Sequence, residues 1–233
     1  MKKIISALLF TALIFTSALG ADGISYDGKK AEVLSQLNIL KGDEDGFRLD
    51  SYPTRIEAVI IMLRLTGSEQ TALEKNLHHP FSDVPDWAGA YAGYAYASSI
   101  TSGVSENEFG TDEPLTADQF AAFALRALGY DDANGDFDVD SALKFAYDKK
   151  IISAKVNEKD FKGRDTVSIL YDILGAKLKN SDTTLAEKLK TLFETDKDKL
   201  SKYAKILYAE ACLISGKSIE NPAEFSELVC ELM

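Results

Sequence analysis

Residues 92–129 read AGYAYASSITSGVSENEFGTDEPLTADQFAAFALRALG, and residues 31–67 read AEVLSQLNILKGDEDGFRLDSYPTRIEAVIIMLRLTG. The two stretches align at a constant offset of 62 residues, which joins Phe47 to Phe109 and Gly67 to Gly129. Self-similarity of this kind indicates units that cannot bury an apolar face alone and stack on one another. The sequence therefore predicts a repeat protein rather than a single irregular domain.

A third, weaker copy runs from FDVDSALKFAYDKKIIS through FKGRDTVSILYDILG, with a shorter middle loop. Its closing Gly175 follows Gly129 by 46 residues. We accordingly divide the chain into predicted repeats at 24–67, 81–129 and 137–178, followed by a helical extension at 181–233.

Each copy has the pattern helix, irregular loop, helix, and strand signals are sparse, so we predict an all-α fold. Second helices are expected to begin at the capping sequences Thr54-x-x-Glu57 and Thr116-x-x-Gln119. They are expected to end at left-handed glycines, namely Gly67, Gly129 and Gly175. For the first helix of the second repeat, three- and four-residue spacings predict a core stripe of Trp87, Tyr91, Tyr94, Ala95 and Ser98.

The second copy resembles the S-layer homology family. Its opening FSDVPDWAGAYAGYAYASSITSG, residues 81–103, is similar to the family's F-x-D-V-x-x-W start and its I-x-x-G turn. Phe109, Pro114 and the Arg126–Gly129 ending match later family features. The first copy carries the tetrapeptide T-R-x-E as residues 54–57, whereas the second and third copies are degenerate there.

This resemblance implies three helix-loop-helix repeats in a pseudo-threefold bundle, with grooves between neighbouring repeats. In the family such grooves bind secondary cell-wall polysaccharide, often carrying pyruvate ketals. The implied function is non-covalent attachment to the bacterial cell wall, through that polysaccharide or a peptidoglycan-linked glycan. The alternative is a protein-interaction or structural module on decayed repeats with no glycan binding.

Arg55 is the leading candidate for glycan binding. It stands at a helix start, where unpaired amides and the helix dipole favour an anion, and a guanidinium grips a carboxylate with two hydrogen bonds. The other interpretation is a solvated surface charge or an ion pair with Asp50. Thr54 and Glu57 either contact the ligand or only cap the helix.

The other copies depart from this pattern. Ala117 replaces the arginine in the second copy, and the following Asp118 would repel a carboxylate. In the third copy Lys162 stands where the threonine should be, and Arg164 falls one residue late. Arg164 nevertheless remains a candidate glycan-binding residue.

Trp87 and Asp83 complete the predicted glycan-binding set. The indole of Trp87 could stack on a sugar ring or anchor its helix to the core. Asp83 could accept hydrogen bonds from sugar hydroxyls or act as a capping or turn residue.

The first 20 residues are predicted to be a secretory signal peptide: Lys2 and Lys3 precede an apolar run at 4–15 and the small-residue sequence TSALG. The protein is then secreted to the cell surface or wall, with no membrane span after cleavage. Its net charge of −11 disfavours nucleic acid and anionic lipid as partners.

The other motifs give little indication of catalysis or metal binding. Neither G-x-S-x-G nor H-E-x-x-H occurs, so we predict no catalytic residues, no enzyme activity and no cofactor. The acidic stretch 131–140 is either a calcium loop or a solvated linker, and it lacks the glycine and glutamate of an EF-hand. His78 and His79 have no third ligand nearby, so no metal site is predicted.

The tail beyond residue 181 is predicted to form helices at 185–193, 199–213 and 223–232, which could recruit a protein partner. Cys212 and Cys230 could close a disulfide or remain thiols.

Overall fold

A computed structural model describes residues 26–44 and 46–193. Within these residues the chain forms eight α-helices and no β-strand, which confirms the all-α prediction. The helices are α1 (Tyr26–Gln36), α2 (Arg55–Leu65), α3 (Glu69–Lys75), α4 (Gly89–Ala97), α5 (Ala117–Ala127), α6 (Ala142–Asp148), α7 (Gly163–Leu174) and α8 (Leu185–Phe193). None of the helices in this part of the chain combines the length and apolar character needed to cross a bilayer.

Three predictions lie outside the described residues. They are the signal peptide, the two tail helices after residue 193, and the state of Cys212 and Cys230. The first tail helix is confirmed, since α8 has the predicted bounds Leu185–Phe193.

The predicted helix starts are confirmed in the first two repeats. Thr54 and Thr116 form capping boxes with Glu57 and Gln119, in which each threonine hydroxyl accepts from the third helical amide. The side chains at that third position accept in return from the threonine amides. The sequence pattern alone is therefore sufficient to place both helices.

The predicted glycine ends are correct for two helices and wrong for one. Gly67 and Gly129 take positive φ angles of 70° and 91°. Gly175 has a φ of −81°, because α7 ends with a right-handed residue and Ala176 continues the turn by donating to Ile173 O. No left-handed residue is needed there.

Helices of different predicted repeats pack on one another. The first helices of the three predicted repeats, α1, α4 and α6, lie against the second helices α7, α2 and α5, respectively. Helix α5 also contacts α2 and α7. Aromatic side chains at the centre of this arrangement, including Phe109, Phe120 and Phe123, are fully buried.

The predicted core stripe of α4 is only partly correct. Ala95 is buried as predicted, but the other buried positions are Ala88, Ala92 and Gly93, whereas Trp87 is 62% exposed. Residues 86–88 form a 3₁₀ turn that leads into α4, so helical spacing cannot be extended back to the tryptophan. Trp87 is thus not a core anchor, and that alternative was wrong.

Two loops accept backbone hydrogen bonds from the helix starts of neighbouring predicted repeats. The amides of Arg55 and Ile56, which begin α2, donate to Glu113 O and Thr111 O at 3.1 and 3.2 Å. The amides that begin α7 do the same with the first repeat: Gly163 donates to Ser51 O at 2.8 Å, and Arg164 donates to Leu49 O at 2.9 Å. Ser51 and Leu49 precede Glu113 and Thr111 by 62 residues, so the two junctions are equivalent.

Candidate functional site

A pocket of about 380 Å³ lies at the junction between α2 and the second predicted repeat. Arg55 contributes to it from the start of α2, and residues 101–104 form one wall. The other lining residues are Gln119, Ala122, Phe123 and Arg126 of α5, together with Asp132 and Val139. We call this cavity the Arg55 pocket.

The side chain of Arg55 is buried beside this pocket. Only 9% of the residue is exposed, and its Nε has no hydrogen-bond partner among the described residues. Burial and, to a lesser extent, neighbouring Arg126 lower the pKa of Arg55, whereas Glu113 raises it. An arginine nevertheless stays protonated in the neutral range, so the pocket holds a desolvated positive charge.

Arg126, the second cation of the pocket, is already paired. Its Nε and one terminal nitrogen donate to the two carboxylate oxygens of Asp132 at 2.7 and 2.8 Å. The other terminal nitrogen donates to Ile100 O at 3.2 Å. The hydrogen bonds from Arg126 hold the pKa of Asp132 below its usual value, so that carboxylate is ionised.

One argument for anion binding at Arg55 needs correction. The sequence suggested that unpaired amides at the start of α2 would help to hold an anion. Those of Arg55 and Ile56 donate to the loop of the second repeat, and the amide of Glu57 donates to Thr54 Oγ1. Any anion in the pocket must therefore be held by side chains, above all by the guanidinium.

A second cavity, of about 160 Å³, occupies the equivalent junction between α7 and the first repeat. We call it the Gly163 pocket, because Gly163 begins α7 as Arg55 begins α2. Six lining positions of the two pockets correspond at the offset of 62: Leu40 with Ser102, Lys41 with Gly103, Glu57 with Gln119, Ile60 with Ala122, Ile61 with Phe123, and Arg64 with Arg126. The arginine pairing is also repeated, since Arg64 Nε donates to Glu69 at 2.9 Å.

Arg164 does not replace the missing guanidinium. It is the second residue of α7, and its side chain pairs with Asp50 at the surface, where 48% of it is exposed. It lines neither pocket. Because Asp50 is taken by Arg164, the alternative ion pair between Arg55 and Asp50 was wrong.

Thr54 and Glu57 are placed as capping residues. Glu57 also lines the Gly163 pocket, where it accepts from Arg48 at 3.3 Å. Neither residue lines the Arg55 pocket, although both lie next to Arg55 in the chain.

Asp83 holds the loop that docks on α2. Its carboxylate accepts from the amides of Phe109, Gly110 and Thr111 at 2.7, 2.7 and 3.1 Å. Burial raises the pKa of Asp83, but these backbone hydrogen bonds outweigh that effect and the net pKa is lowered. Since Thr111 O in turn accepts from the start of α2, Asp83 helps to position Arg55.

The acidic stretch is held by cations of the protein itself. Asp132 pairs with Arg126, and Asp136 pairs with Lys179. Across the described residues, no group of three or more His, Cys, Asp or Glu side chains is placed to hold a metal ion.

Sequence reasoning missed most of the pocket lining. Arg126 was recognised only as part of a family motif, and Gln119 only as a cap. The signal that could have found them is the offset of 62, because Arg64 and Arg126 recur on the same face of α2 and α5.

Known proteins similar to this chain fall into two groups. A "Cell surface protein" of Thermoanaerobacter kivui is 31% identical over 147 residues, which is 57% of this chain and 19% of that protein. "Chaperone protein HtpG" of Clostridium perfringens is 35% identical over 85 residues, 36% of this chain and 12% of the chaperone. The same-named chaperone of Halalkalibacterium halodurans is 49% identical over 45 residues, 19% of this chain and 7% of its own length.

The chain thus spans less than a fifth of the length of each of these relatives. A family comparison adds a match at residues 80–121, described as "S-layer homology domain". This match covers Asp83, the loop that docks on α2, and the first half of α5. The chain therefore contains an S-layer homology domain, as its motifs predicted, and the Arg55 pocket is built partly on it.

Proposed function

We propose that the Arg55 pocket binds a carboxylate-bearing glycan of the bacterial cell wall and so attaches the protein to the cell surface without a covalent bond. The glycan class is secondary cell-wall polysaccharide, with a pyruvate ketal as the carboxylate. The observation that carries this proposal is the buried Nε of Arg55, which has no hydrogen-bond partner among the described residues and belongs to a side chain that lines an open cavity.

A buried cation without a partner is costly, because it has lost water and gained no hydrogen bonds in return. A ligand carboxylate would offset that cost with two charge-assisted hydrogen bonds. The charge of the neighbouring Arg126 is neutralised by Asp132, so Arg55 is the cation that an anion would meet.

The rest of the lining suits a sugar. Thr101 and Ser102 offer hydroxyls and Gln119 offers an amide, all of which exchange hydrogen bonds with sugar hydroxyls. A volume of about 380 Å³ lies in the range of small-ligand sites. The cavity accommodates one or two sugar units rather than a long chain segment.

The comparisons support attachment at the surface in general. A match to the S-layer homology domain and a relative named cell surface protein both agree with a binding role outside the cell. We accordingly assign a non-enzymatic function and a secreted location, with residues 1–20 as a signal peptide.

We also propose that the chain contains three repeats, at 24–67, 81–129 and 137–178, with 181–233 as an extension. The contacts of α1 with α7, α4 with α2 and α6 with α5 support this division, because each first helix lies on the second helix of another repeat. Such closed pairing is what a pseudo-threefold bundle requires.

The test is co-sedimentation of the full chain with purified cell-wall sacculi, before and after removal of their secondary polysaccharide. Arg55→Ala should lower binding to intact sacculi at least about tenfold, as expected for loss of a charge-assisted bidentate contact. Removal of the polysaccharide should abolish binding of the unmodified chain.

Arg164→Ala is the matched control, since it removes a guanidinium from the equivalent helix start without touching the pocket. It should bind like the unmodified chain. Equal binding of all three proteins, or retention on stripped sacculi, would contradict the proposal and favour the alternative of a protein-interaction module, for which the exposed Trp87 is a candidate contact.

A further inference from the structure

The charged side chains that line the Arg55 pocket are Arg55, Arg126 and Asp132. Asp132 neutralises Arg126 through two parallel hydrogen bonds, and both side chains are mostly buried, with 24% and 21% exposed. The lining therefore carries one net positive charge. That charge resides on Arg55.

We infer that Asp132 is a specificity-determining residue, which restricts the pocket to ligands with a single negative charge, such as a ketal carboxylate, and excludes phosphate monoesters. This inference rests on the proposed function of the Arg55 pocket. The distinction between a ketal carboxylate and a phosphate monoester defines the substrate class.

The physical reason is the low dielectric of a partly buried site. A phosphate monoester carries nearly two negative charges above its second pKa of about 6. In this pocket one of these charges would face Arg55, while the other would meet no unpaired cation, because Asp132 neutralises Arg126. The exposed Glu113, which acts electrostatically on Arg55, would add repulsion.

The equivalent Gly163 pocket contains the arginine pairing without a buried arginine at the adjoining helix start. Arg64 is neutralised there by Glu69, as Arg126 is by Asp132. Gly163 contributes no side chain, so the Arg64–Glu69 pair has no buried arginine of the adjoining helix beside it. The selectivity requires both the free guanidinium and its neutralised neighbour.

The experiment compares two probes on one sugar at pH 8 and constant ionic strength. One is the methyl glycoside of N-acetylglucosamine with a 4,6-pyruvate ketal, and the other is the same glycoside with a 6-phosphate. Affinities are measured by NMR titration of the full chain, following the Arg55 Nε–H signal. The unmodified chain should bind the ketal about tenfold more tightly than the phosphate, or better.

Asp132→Asn keeps the size of the side chain and one acceptor for Arg126 but raises the pocket charge by one. Its preference for the ketal should fall at least about fivefold, mainly because phosphate binding improves. Arg126→Gln combined with Asp132→Asn returns the net charge to one and should restore the original preference. A purely structural role for Asp132 predicts no such recovery.

Glu69→Gln is the matched control, because Glu69 pairs with Arg64 of the Gly163 pocket. It should leave the affinities for both probes, measured at the Arg55 signal, unchanged. If the unmodified chain binds the ketal but Asp132→Asn has the same preference, the inference is wrong and the proposed function stands. If the unmodified chain binds neither probe, the proposed function is wrong, and the inference falls with it.

Discussion

The Arg55 pocket and the Gly163 pocket occupy equivalent junctions, yet only the first has a buried arginine at the start of the adjoining helix. Each is formed by a second helix, the turn before it and the start of a helix from another repeat. Each contains an arginine that is paired with an acidic side chain. The decisive difference is the first residue of the adjoining helix, which is arginine in one pocket and glycine in the other.

This comparison distinguishes the backbone contacts that hold the fold from the arginine side chain that would bind a ligand. The hydrogen bonds that join helix starts to loops are the same at both junctions, so the fold does not depend on the arginine. A single position can therefore gain or lose a ligand site while the bundle persists. Binding should reside in the Arg55 pocket, and the Gly163 pocket should be structural.

The largest effect on stability is expected at Gly163. A Cβ added there would lie 2.6 Å from Arg48 O and 3.1 Å from the Leu49 Cα, so the backbone of the first repeat would have to move. Gly163→Ala should lower the free energy of unfolding by about 3 kcal/mol, measured by chemical denaturation.

Gly175→Ala, at the other end of α7, is the control for Gly163→Ala. Gly175 has an ordinary φ of −81°, and its added Cβ would meet Asp172 O at 3.7 Å, an ordinary contact. Gly175→Ala should change the free energy of unfolding by no more than about 0.5 kcal/mol. Equal effects at the two glycines would show that the junction is loose enough to accept a side chain at position 163.

A somewhat smaller effect on the free energy of unfolding is expected at Asp83, which holds the loop beside the Arg55 pocket. Asp83→Asn should lower the free energy of unfolding by about 2 kcal/mol at pH 7, because an amide cannot accept all three backbone hydrogen bonds. It should also weaken glycan binding, since the released loop is the one that orients Arg55.

The pH dependence gives a sharper test of this role. Folding lowers the pKa of Asp83 from its ordinary value of 3.8, so its contribution is present above that pH and is lost as the pH falls through the folded value. The stability difference between the unmodified chain and Asp83→Asn should therefore shrink below about pH 4. A stability difference that does not shrink at low pH would contradict this role of Asp83.

The smallest effects on stability are expected at the two capping threonines, which precede the equivalent helices α2 and α5. Thr54→Ala and Thr116→Ala should each lower the free energy of unfolding by about 1 kcal/mol in thermal or chemical unfolding. Both should leave sacculus binding within about twofold of the unmodified chain. A selective loss of binding in Thr54→Ala would place its hydroxyl in contact with the glycan.

Local sequence rules were sufficient for much of the fold. The capping boxes at Thr54 and Thr116 and the helix Leu185–Phe193 were predictable because neighbouring residues determine them. The exposed Trp87 was not, since helical spacing gives no sign of a 3₁₀ turn before α4.

For the site, the sequence identified Arg55 but not its surroundings. Arg126, Asp132 and residues 101–104 come together with Arg55 only through packing between repeats, which local patterns do not encode. The role of Asp83 was hidden for the same reason, because its three amide donors lie more than 25 residues away in the chain.

The most direct test of the central claim is a calorimetric titration of the full chain with purified secondary cell-wall polysaccharide, before and after mild acid removal of its ketal groups. The account predicts saturable binding to the intact polysaccharide, loss of that binding after ketal removal, and no binding by Arg55→Ala. Equal affinity for the two polysaccharides, or full binding by Arg55→Ala, would contradict it.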